Sequence, residues 1–143
     1  AIHDPVIVLG FFALSGIVFD LSVVAALLAV IGYSLNDTVV VFDRIRERFE
    51  TNKRLDPAEV LNQSVNQTLS RTIMTSLTTL IVVVVLLLLG GPVLQGFSWA
   101  LVVGILIGTY SSIYIAASVA LDLGLTAESL FPTRKKLAID DLP

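Results

Sequence analysis

The sequence lacks cysteine, has a single histidine and carries few charged residues. Without cysteine there is no disulfide framework and no thiolate metal site, and one histidine excludes a histidine cluster. We therefore expect no metal and no cofactor. Charged residues make up 15% of the chain, whereas a soluble domain carries about 25%. This chain has too little polar surface to cover a soluble globule.

Apolar residues make up 55% of the chain, and the mean hydropathy is +0.89. About 20 apolar residues cross the hydrocarbon of a bilayer as a helix. We predict an all-α membrane protein, a polytopic bundle of four spans, with the lipid bilayer as its solvent. The predicted parts are spans at about 1–19, 21–43, 68–90 and 97–122, a helical hairpin at 44–67 and a tail at 126–143. The first apolar run, 5–19, is short, so we expect further residues before it and treat this span as truncated.

Positive charge is confined to two places. All nine lysines and arginines fall within residues 44–71 or 134–136, and the turns near 20 and 90–96 have none. Positive residues are enriched in cytoplasmic loops, so we predict that the hairpin and the C-terminal tail are cytoplasmic. Acidic residues are interleaved with the basic ones, which indicates a solvated loop and not a nucleic-acid surface.

Asp37 is a carboxylate inside the second predicted span. It precedes Asp43, the first charge expected in water, by six residues, or roughly 9 Å along a helix. An ionisable group at that depth is costly and typical of an ion or proton path. Its neighbour Asn36 has either a direct role or forms an interhelical hydrogen bond. Asp37 lies at the edge of a helical face made mostly of small residues, which predicts close packing against another helix. This face consists of Ser22, Ala25, Ala26, Ala29, Gly32, Tyr33 and Asn36.

Arg71 begins the third predicted span. Gln67, Thr75 and Thr78 lie within about 80° of it on a helical wheel. An arginine at the start of a span can extend to the membrane surface, but the hydroxyls that continue inward favour a face on protein or water. If spans two and three pack antiparallel, Asp37 and Arg71 meet. Burial favours protonated Asp37 and Arg71 favours its carboxylate, so the pair can act as a proton switch.

Two other features have two interpretations each. Asp4, next to His3 and at or just inside the membrane boundary, is either part of a second titratable pair or an N-cap before Pro5. In the fourth span, Gly104, Gly108 and Ser112 recur every four residues. This spacing is typical of close helix packing, and the hydroxyls nearby leave a hydrated proton path as the second interpretation.

Four motifs carry a family resemblance. They are GYSLNDTVVVFDRIRE at 32–47, NQTLSRTIMTS at 66–76, GGPVL at 90–94 and GTYSSIY at 108–114. They resemble the signatures of the SecF family of bacterial protein-export membrane subunits, from His3 to about Leu125. The sister family SecD is similar in layout but usually has Asn-Ala where this chain has Asn36 and Asp37.

The resemblance implies a six-span unit of the resistance–nodulation–division superfamily in the bacterial inner membrane. It also implies SecD, separate or fused, as partner, with the SecYEG channel, the SecA motor and the preprotein nearby. The proton-motive force would drive export, with Asp37 as proton carrier and Arg71 as its partner. The family's first two spans, its external domain and the carboxylate that SecD contributes to the site have no counterpart here.

Two alternatives stay open at this stage. One is half of a proton-driven small-molecule exporter of the same superfamily, which also needs an intramembrane aspartate and a cationic partner. The other is a structural scaffold in which Asp37 and Arg71 form a static clamp. We do not expect an enzyme, because no nucleophile, base and orienting group converge in the sequence.

Overall fold

Helices account for nearly all of the structure, a computed structural model that describes residues 2–51, 56–122 and 124. No strand occurs in this part of the chain, which confirms the all-α, polytopic prediction. In order, the elements are α1 (His3–Ser15), α2 (Leu21–Thr51), α3 (Pro57–Leu89), α4 (Gly91–Tyr110), a π-helix (Ser111–Ile115) and α5 (Ala116–Asp122). The predicted tail at 126–143 and the turn at 52–55 lie outside the described residues.

Three helical stretches are long and apolar enough to cross a membrane, namely α2, α3 and the continuous stretch from Gly91 to Asp122. α1 is apolar but shorter. Both α2 and α3 extend beyond their apolar parts, and their polar ends form the two arms of the predicted hairpin. We call this end of the bundle, with Arg44, Arg46 and Arg48, the basic end. The last stretch begins at Gly91 and not at Phe97, so it is longer than the predicted fourth span.

Local signals set the helix ends. Asp20 accepts hydrogen bonds from the Ser22 hydroxyl at 2.5 Å and from the Val23 amide at 3.1 Å, and so caps α2. Asp56 is the N-cap residue of α3 and precedes Pro57, but its side chain makes no capping hydrogen bond. Only Gly90 separates α3 from α4, and Gly91 has a φ of 73°, which favours glycine.

The buried core has two apolar clusters with a polar layer between them. One cluster lies near the basic end and contains Val41, Ile45, Phe49, Val60, Leu61 and Ala120. The other lies towards the opposite end and contains Val8, Phe12, Val23, Ala26 and Ala100. Between them the buried side chains are mostly polar: Asp4, Ser34, Asp37, Thr72, Ser76, Ser111 and Ser112. Buried polar groups in a membrane bundle are costly and mark functional positions.

The packing face of α2 differs from the predicted small-residue face. The buried residues are Val23, Ala26, Val30, Ser34, Asp37, Val41, Ile45 and Phe49, whereas Ala25, Ala29, Gly32 and Asn36 are exposed. The reason is that α4 provides the small residues of this contact. A Cβ added to Gly104 would overlap the Val30 side chain, so the valine of one helix fits over the glycine of the other.

Candidate functional site

Asp37 lies on the buried face of α2, within the polar layer. Its residue is 3% exposed, and its Oδ2 atom has no hydrogen-bond partner in the part of the chain that the structure describes. A buried carboxyl oxygen without a partner costs more than a satisfied one by roughly 1–3 kcal/mol. Asp37 Oδ2 therefore remains able to accept a hydrogen bond or a proton.

Arg71 lies on α3 and its residue is exposed. Its guanidinium is close enough to act electrostatically on the Asp37 carboxyl group. The ion pairs formed within 4.0 Å by the described residues include His3–Asp4, Arg44–Glu47 and Arg46–Glu50, and an Asp37–Arg71 pair is not among them. The predicted pairing of Asp37 with Arg71 stays a prediction.

A polar cavity of about 300 Å³ opens between α2 and α3 on the basic side of Asp37. Its volume has room for several water molecules. Its lining contains Val40, Asp43, Arg44, Glu47, Gln67, Thr68 and Arg71. Val40 comes three residues after Asp37, so the two are neighbours along one turn of helix. The cavity therefore reaches from the basic end to within one turn of the buried carboxylate.

Gln67 is held in this cavity by a hydrogen bond to its side chain. The Arg44 Nε–H donates to Gln67 Oε1 at 2.8 Å, and the same guanidinium pairs with Glu47. These contacts fix the wall of the cavity where α2 and α3 diverge. Gln67 thus lies in the wall of the polar cavity that also contains Arg71.

The rest of the predicted stripe on α3 faces away from the helices described here. Thr75 is exposed, and its hydroxyl donates to the backbone carbonyls of Arg71 and Thr72 at 3.0 Å. Asn36, next to Asp37 on α2, is exposed as well. Both helices therefore present polar side chains on the outer surface beside the site.

A second row of hydroxyls on α3 is buried, and the sequence analysis missed it. The row consists of Ser64, Thr68, Thr72 and Ser76. At its inner end, the Ser76 hydroxyl lies 2.7 Å from the Tyr33 hydroxyl and 2.6 Å from that of Thr109. A hydroxyl residue at every fourth position of α3 could have indicated this face. The sequence analysis instead chose the adjacent face, which contains Arg71.

Asp4 is fully buried and lies inside the first turn of α1, whose N-cap is Ile2. The N-cap interpretation of Asp4 is therefore wrong. Its carboxylate accepts a hydrogen bond from the Ser34 hydroxyl at 2.5 Å and others from His3 Nδ1 at 3.1 Å and from Ser111. Asp4 is level with Ser34, about 13.5 Å deeper than Asp43. It therefore lies farther inside than the predicted boundary position, because α1 runs antiparallel beside α2.

Gly104, Gly108 and Ser112 all lie against α2. Gly104 contacts Val30, and a Cβ on Gly108 would lie 3.6 Å from that of Ser34. The Ser112 hydroxyl points at the Ser34 carbonyl oxygen at 3.4 Å. These three residues bring the backbones of α4 and the π-helix close to the helix that carries Asp37.

The polar layer has few metal-ligating side chains. No three of the histidine, aspartate and glutamate side chains in the described ranges come together in a group that could hold a metal ion. Among the described residues, the donors to Asp4 include two serine hydroxyls and one imidazole, groups that can exchange hydrogen bonds and protons.

Known proteins resemble this chain along most of its length. A family description, protein export membrane protein SecD/SecF, C-terminal, matches residues 1–126. The protein translocase subunit SecF of Pseudomonas aeruginosa is 53% identical over 142 residues, which cover 99% of this chain and 46% of that protein. The subunit SecDF of Thermus thermophilus is 53% identical over 116 residues, which cover 81% of this chain and 16% of that protein.

Solved structures show the same arrangement of helices. A crystal structure of SecDF in its super-membrane-facing form matches with a TM-score of 0.80 and 51% identity, over 85% of this chain and 16% of that one. The chain spans less than half the length of the curated SecF relatives cited above. On its sequence, its fold and the match from residue 1 to residue 126, the chain belongs to the SecD/SecF family of protein export membrane proteins.

Proposed function

We propose that this chain is the membrane-embedded part of a SecF subunit that couples proton movement to preprotein export through the Sec channel. Asp37 is the proton carrier and Arg71 is its electrostatic partner. The observation that carries the proposal is the buried Asp37 carboxyl, with a free Oδ2 atom, one turn from the end of a polar cavity. A carboxylate in that position can exchange protons with water at one end of the bundle.

The mechanism follows from two opposing effects on one side chain. Burial in an apolar layer favours the protonated form of Asp37, and the nearby guanidinium favours the carboxylate. When Asp37 takes up a proton, its attraction for Arg71 is lost, and α2 and α3 can move relative to each other. A proton that crosses the membrane delivers about 2.3 kcal/mol per 100 mV of potential. Movement of these helices is how that energy would reach attached domains.

The orientation belongs to the proposal as well. We place the basic end in the cytoplasm and the chain in the bacterial inner membrane, because Arg44, Arg46 and Arg48 follow the apolar part of α2. The polar cavity then opens to the cytoplasm. The opposite end, with the turns at 16–20 and at Gly90, lies on the periplasmic side.

We propose SecD as the direct partner, either as a separate subunit or as part of one polypeptide. The support is that the Thermus thermophilus relative is named SecDF. The exposed polar side chains of Asn36, Arg71 and Thr75 would form its contact area, and Arg71 also borders the cavity between α2 and α3. The SecYEG channel, SecA and the preprotein are further proposed partners. The activity is transport and not enzyme catalysis.

Asp37→Asn tests the proposal directly. In vesicles that contain the full-length subunit with its partner and the Sec channel, a proton gradient should stimulate preprotein export by the wild type and not by this variant. Arg71→Met should also lose the stimulation. The matched control is Glu59→Gln, which removes an exposed carboxylate on α3 hydrogen-bonded to Gln63.

Two outcomes would contradict the proposal. Full stimulation in Asp37→Asn would leave the structural scaffold as the better explanation, although the described residues lack the direct ion pair of a static clamp. Proton flux that depends on an added small molecule, in vesicles without Sec components, would favour the exporter.

A further inference from the structure

A second buried carboxylate, Asp4, is hydrogen-bonded to a residue one helical turn from Asp37, and the mechanism above does not use it. Asp4 is 0% exposed, and the Ser34 hydroxyl joins it to α2. Ser34 precedes Asp37 by three residues on the same buried face. Residues at that spacing are neighbours on a helix surface. Ser34 is therefore hydrogen-bonded to Asp4 and lies one helical turn from Asp37, to which it makes no hydrogen bond in the described structure.

Three of the described elements provide hydrogen bonds to Asp4. His3 belongs to α1, Ser34 to α2 and Ser111 to the π-helix. π-helices are rare and often occur at functional sites. If Asp4 only held the helices together, its hydrogen-bond partners would not need to lie near Asp37. Here the serine that bonds Asp4 is also the one nearest in sequence to Asp37 on the buried face.

The two acids lie in the same buried polar layer. Carboxylates that come close together in a desolvated site resist being ionised together. The other titratable side chains nearby are His3 on α1, Tyr33 on α2 and Arg71 on α3, which acts on Asp37. From the π-helix, Ser111 contacts Asp4 through an uncharged hydroxyl, and Ser112 contacts the Ser34 carbonyl. A proton in this layer therefore has two carboxyl groups between which it can move.

We propose that Asp4 is a second proton-holding residue, linked to Asp37 by the Ser34 hydroxyl. Once the Ser34 hydroxyl has turned from Asp4 towards Asp37, protonated Asp4 donates its proton to Ser34 Oγ while Ser34 releases its own proton to Asp37. Asp4 is then a carboxylate, Asp37 is a carboxylic acid and Ser34 is again a hydroxyl, so the step balances. Asp37 is the acid nearer the basic end, and Asp4 is the acid farther from it. This inference rests on the proposed role of Asp37 as proton carrier.

Infrared spectroscopy of the purified full-length complex measures the inference without an export assay. A protonated carboxyl group has a C=O stretching band of its own, and a pH titration should show such bands for both acids. The Asp37→Asn variant should keep a titrating band from a buried carboxyl group, and a shift of that band in the Asp37→Asn/Asp4→Glu double variant assigns it to Asp4. If no buried carboxyl titrates in Asp37→Asn, Asp4 does not hold a transferable proton and the inference is overturned.

Export measurements then separate proton transfer from structure. In Asp4→Asn the amide oxygen can still accept the hydrogen bonds from Ser34 and Ser111, so a purely structural role predicts normal stimulation by a proton gradient. We expect the stimulation to be lost in Asp4→Asn and kept in Asp4→Glu. Ser34→Ala should lose it too, because the link between the acids is gone. Its control is Ser98→Ala, since Ser98 is fully buried with a hydroxyl that has no partner in the described structure.

The two proposals fail in different ways. Full stimulation in Asp37→Asn removes the proposed function, whatever the behaviour of Asp4. Loss of stimulation in Asp37→Asn, with normal stimulation in Asp4→Asn and Ser34→Ala, removes only the role of Asp4. The infrared test uses the Asp37→Asn variant, so it decides the matter even if Asp4→Asn does not fold.

Discussion

The Tyr33 hydroxyl on α2 lies 2.7 Å from the Ser76 hydroxyl on α3. Ser76 in turn contacts the Thr109 hydroxyl on α4 at 2.6 Å. One serine thus joins three helices at the level of the polar layer. These contacts lie beside Asp37 and Arg71, so they set how closely the two helices of the proposed relay are held.

Removal of the Tyr33–Ser76 contact should have a modest and measurable cost. A double-mutant cycle with Tyr33→Phe and Ser76→Ala should give a coupling energy of about 0.6 kcal/mol, the average for interhelical hydrogen bonds in a membrane. Reversible unfolding in detergent measures it. Thr78→Val is the control, because among the described residues the Thr78 hydroxyl bonds to the backbone of its own helix alone. A Tyr33–Ser76 coupling no larger than the Tyr33–Thr78 coupling would contradict the described contact.

Alanine should have opposite effects at two glycines. At Gly104 the new Cβ would overlap the Val30 side chain, whereas at Gly32 it would meet nothing within 4 Å. We expect Gly104→Ala to lower the free energy of unfolding by about 1–3 kcal/mol, as overpacking does. Gly32→Ala should raise it by up to about 1 kcal/mol through helix propensity. Thermal unfolding in detergent compares the two.

Val30→Ala provides the rescue for this experiment. In the Gly104→Ala background it removes the methyl groups that the new Cβ meets, so the double variant should regain part of the lost stability. If Val30→Ala lowered the free energy of unfolding as much in the Gly104→Ala background as it does alone, the two sites would be independent. That result would show that Gly104 and Val30 are not packed together.

Asp20, outside the spans, should titrate at unusually low pH. Hydrogen bonds from the Ser22 hydroxyl and then from the Val23 amide hold the pKa of Asp20 below its ordinary value. The folded state therefore favours the carboxylate. This contribution to stability is present above the pKa of the unfolded chain, about 3.9, and is lost as the pH falls through the lower folded value.

Carbon-13 NMR of the Asp20 carboxyl group measures that titration. Ser22→Ala should move the midpoint towards the ordinary value, because the first of the two donors is gone. Ser15→Ala, a change in a serine at the end of α1, is the control and should leave it unmoved. An Asp20 midpoint at its ordinary value in the wild type would show that the cap of α2 is not formed.

Thiol labelling should report the orientation of the bundle. The chain has no cysteine, so single cysteines can be placed in the full-length protein once any others are replaced. A reagent that cannot cross membranes should label Gln67→Cys from the cytoplasm, through the polar cavity, and Val18→Cys from the periplasm. Val83→Cys, at a buried position in α3, should react from neither side. Labelling of Val18→Cys from the cytoplasm would reverse the proposed orientation.

Helix type and approximate position could be predicted from the sequence, because they depend on local properties. Apolar runs of the right length and the pair Asp56–Pro57 at the start of α3 have a direct physical meaning in any environment. Asp37 stood out for the same reason, since a carboxylate in an apolar run is costly wherever the helix packs.

The faces that pack could not be predicted, because they depend on the neighbouring helix. The small face of α2 around Gly32 is exposed, since Gly104 on α4 provides the space for contact with Val30. Likewise, Asp4 could be recognised as a titratable residue, but its bond to Ser34 joins positions 30 residues apart. No local pattern encodes that distance.

The single residue between α3 and α4 limits how the site can move. Neighbouring Cα atoms are about 3.8 Å apart, so the chain at Gly90 leaves no slack for one helix to slide along the other. The far ends of α3 and α4 can therefore separate only if the angle between the two helices opens at Gly90. A small rotation at Gly90 becomes a larger displacement near Arg71.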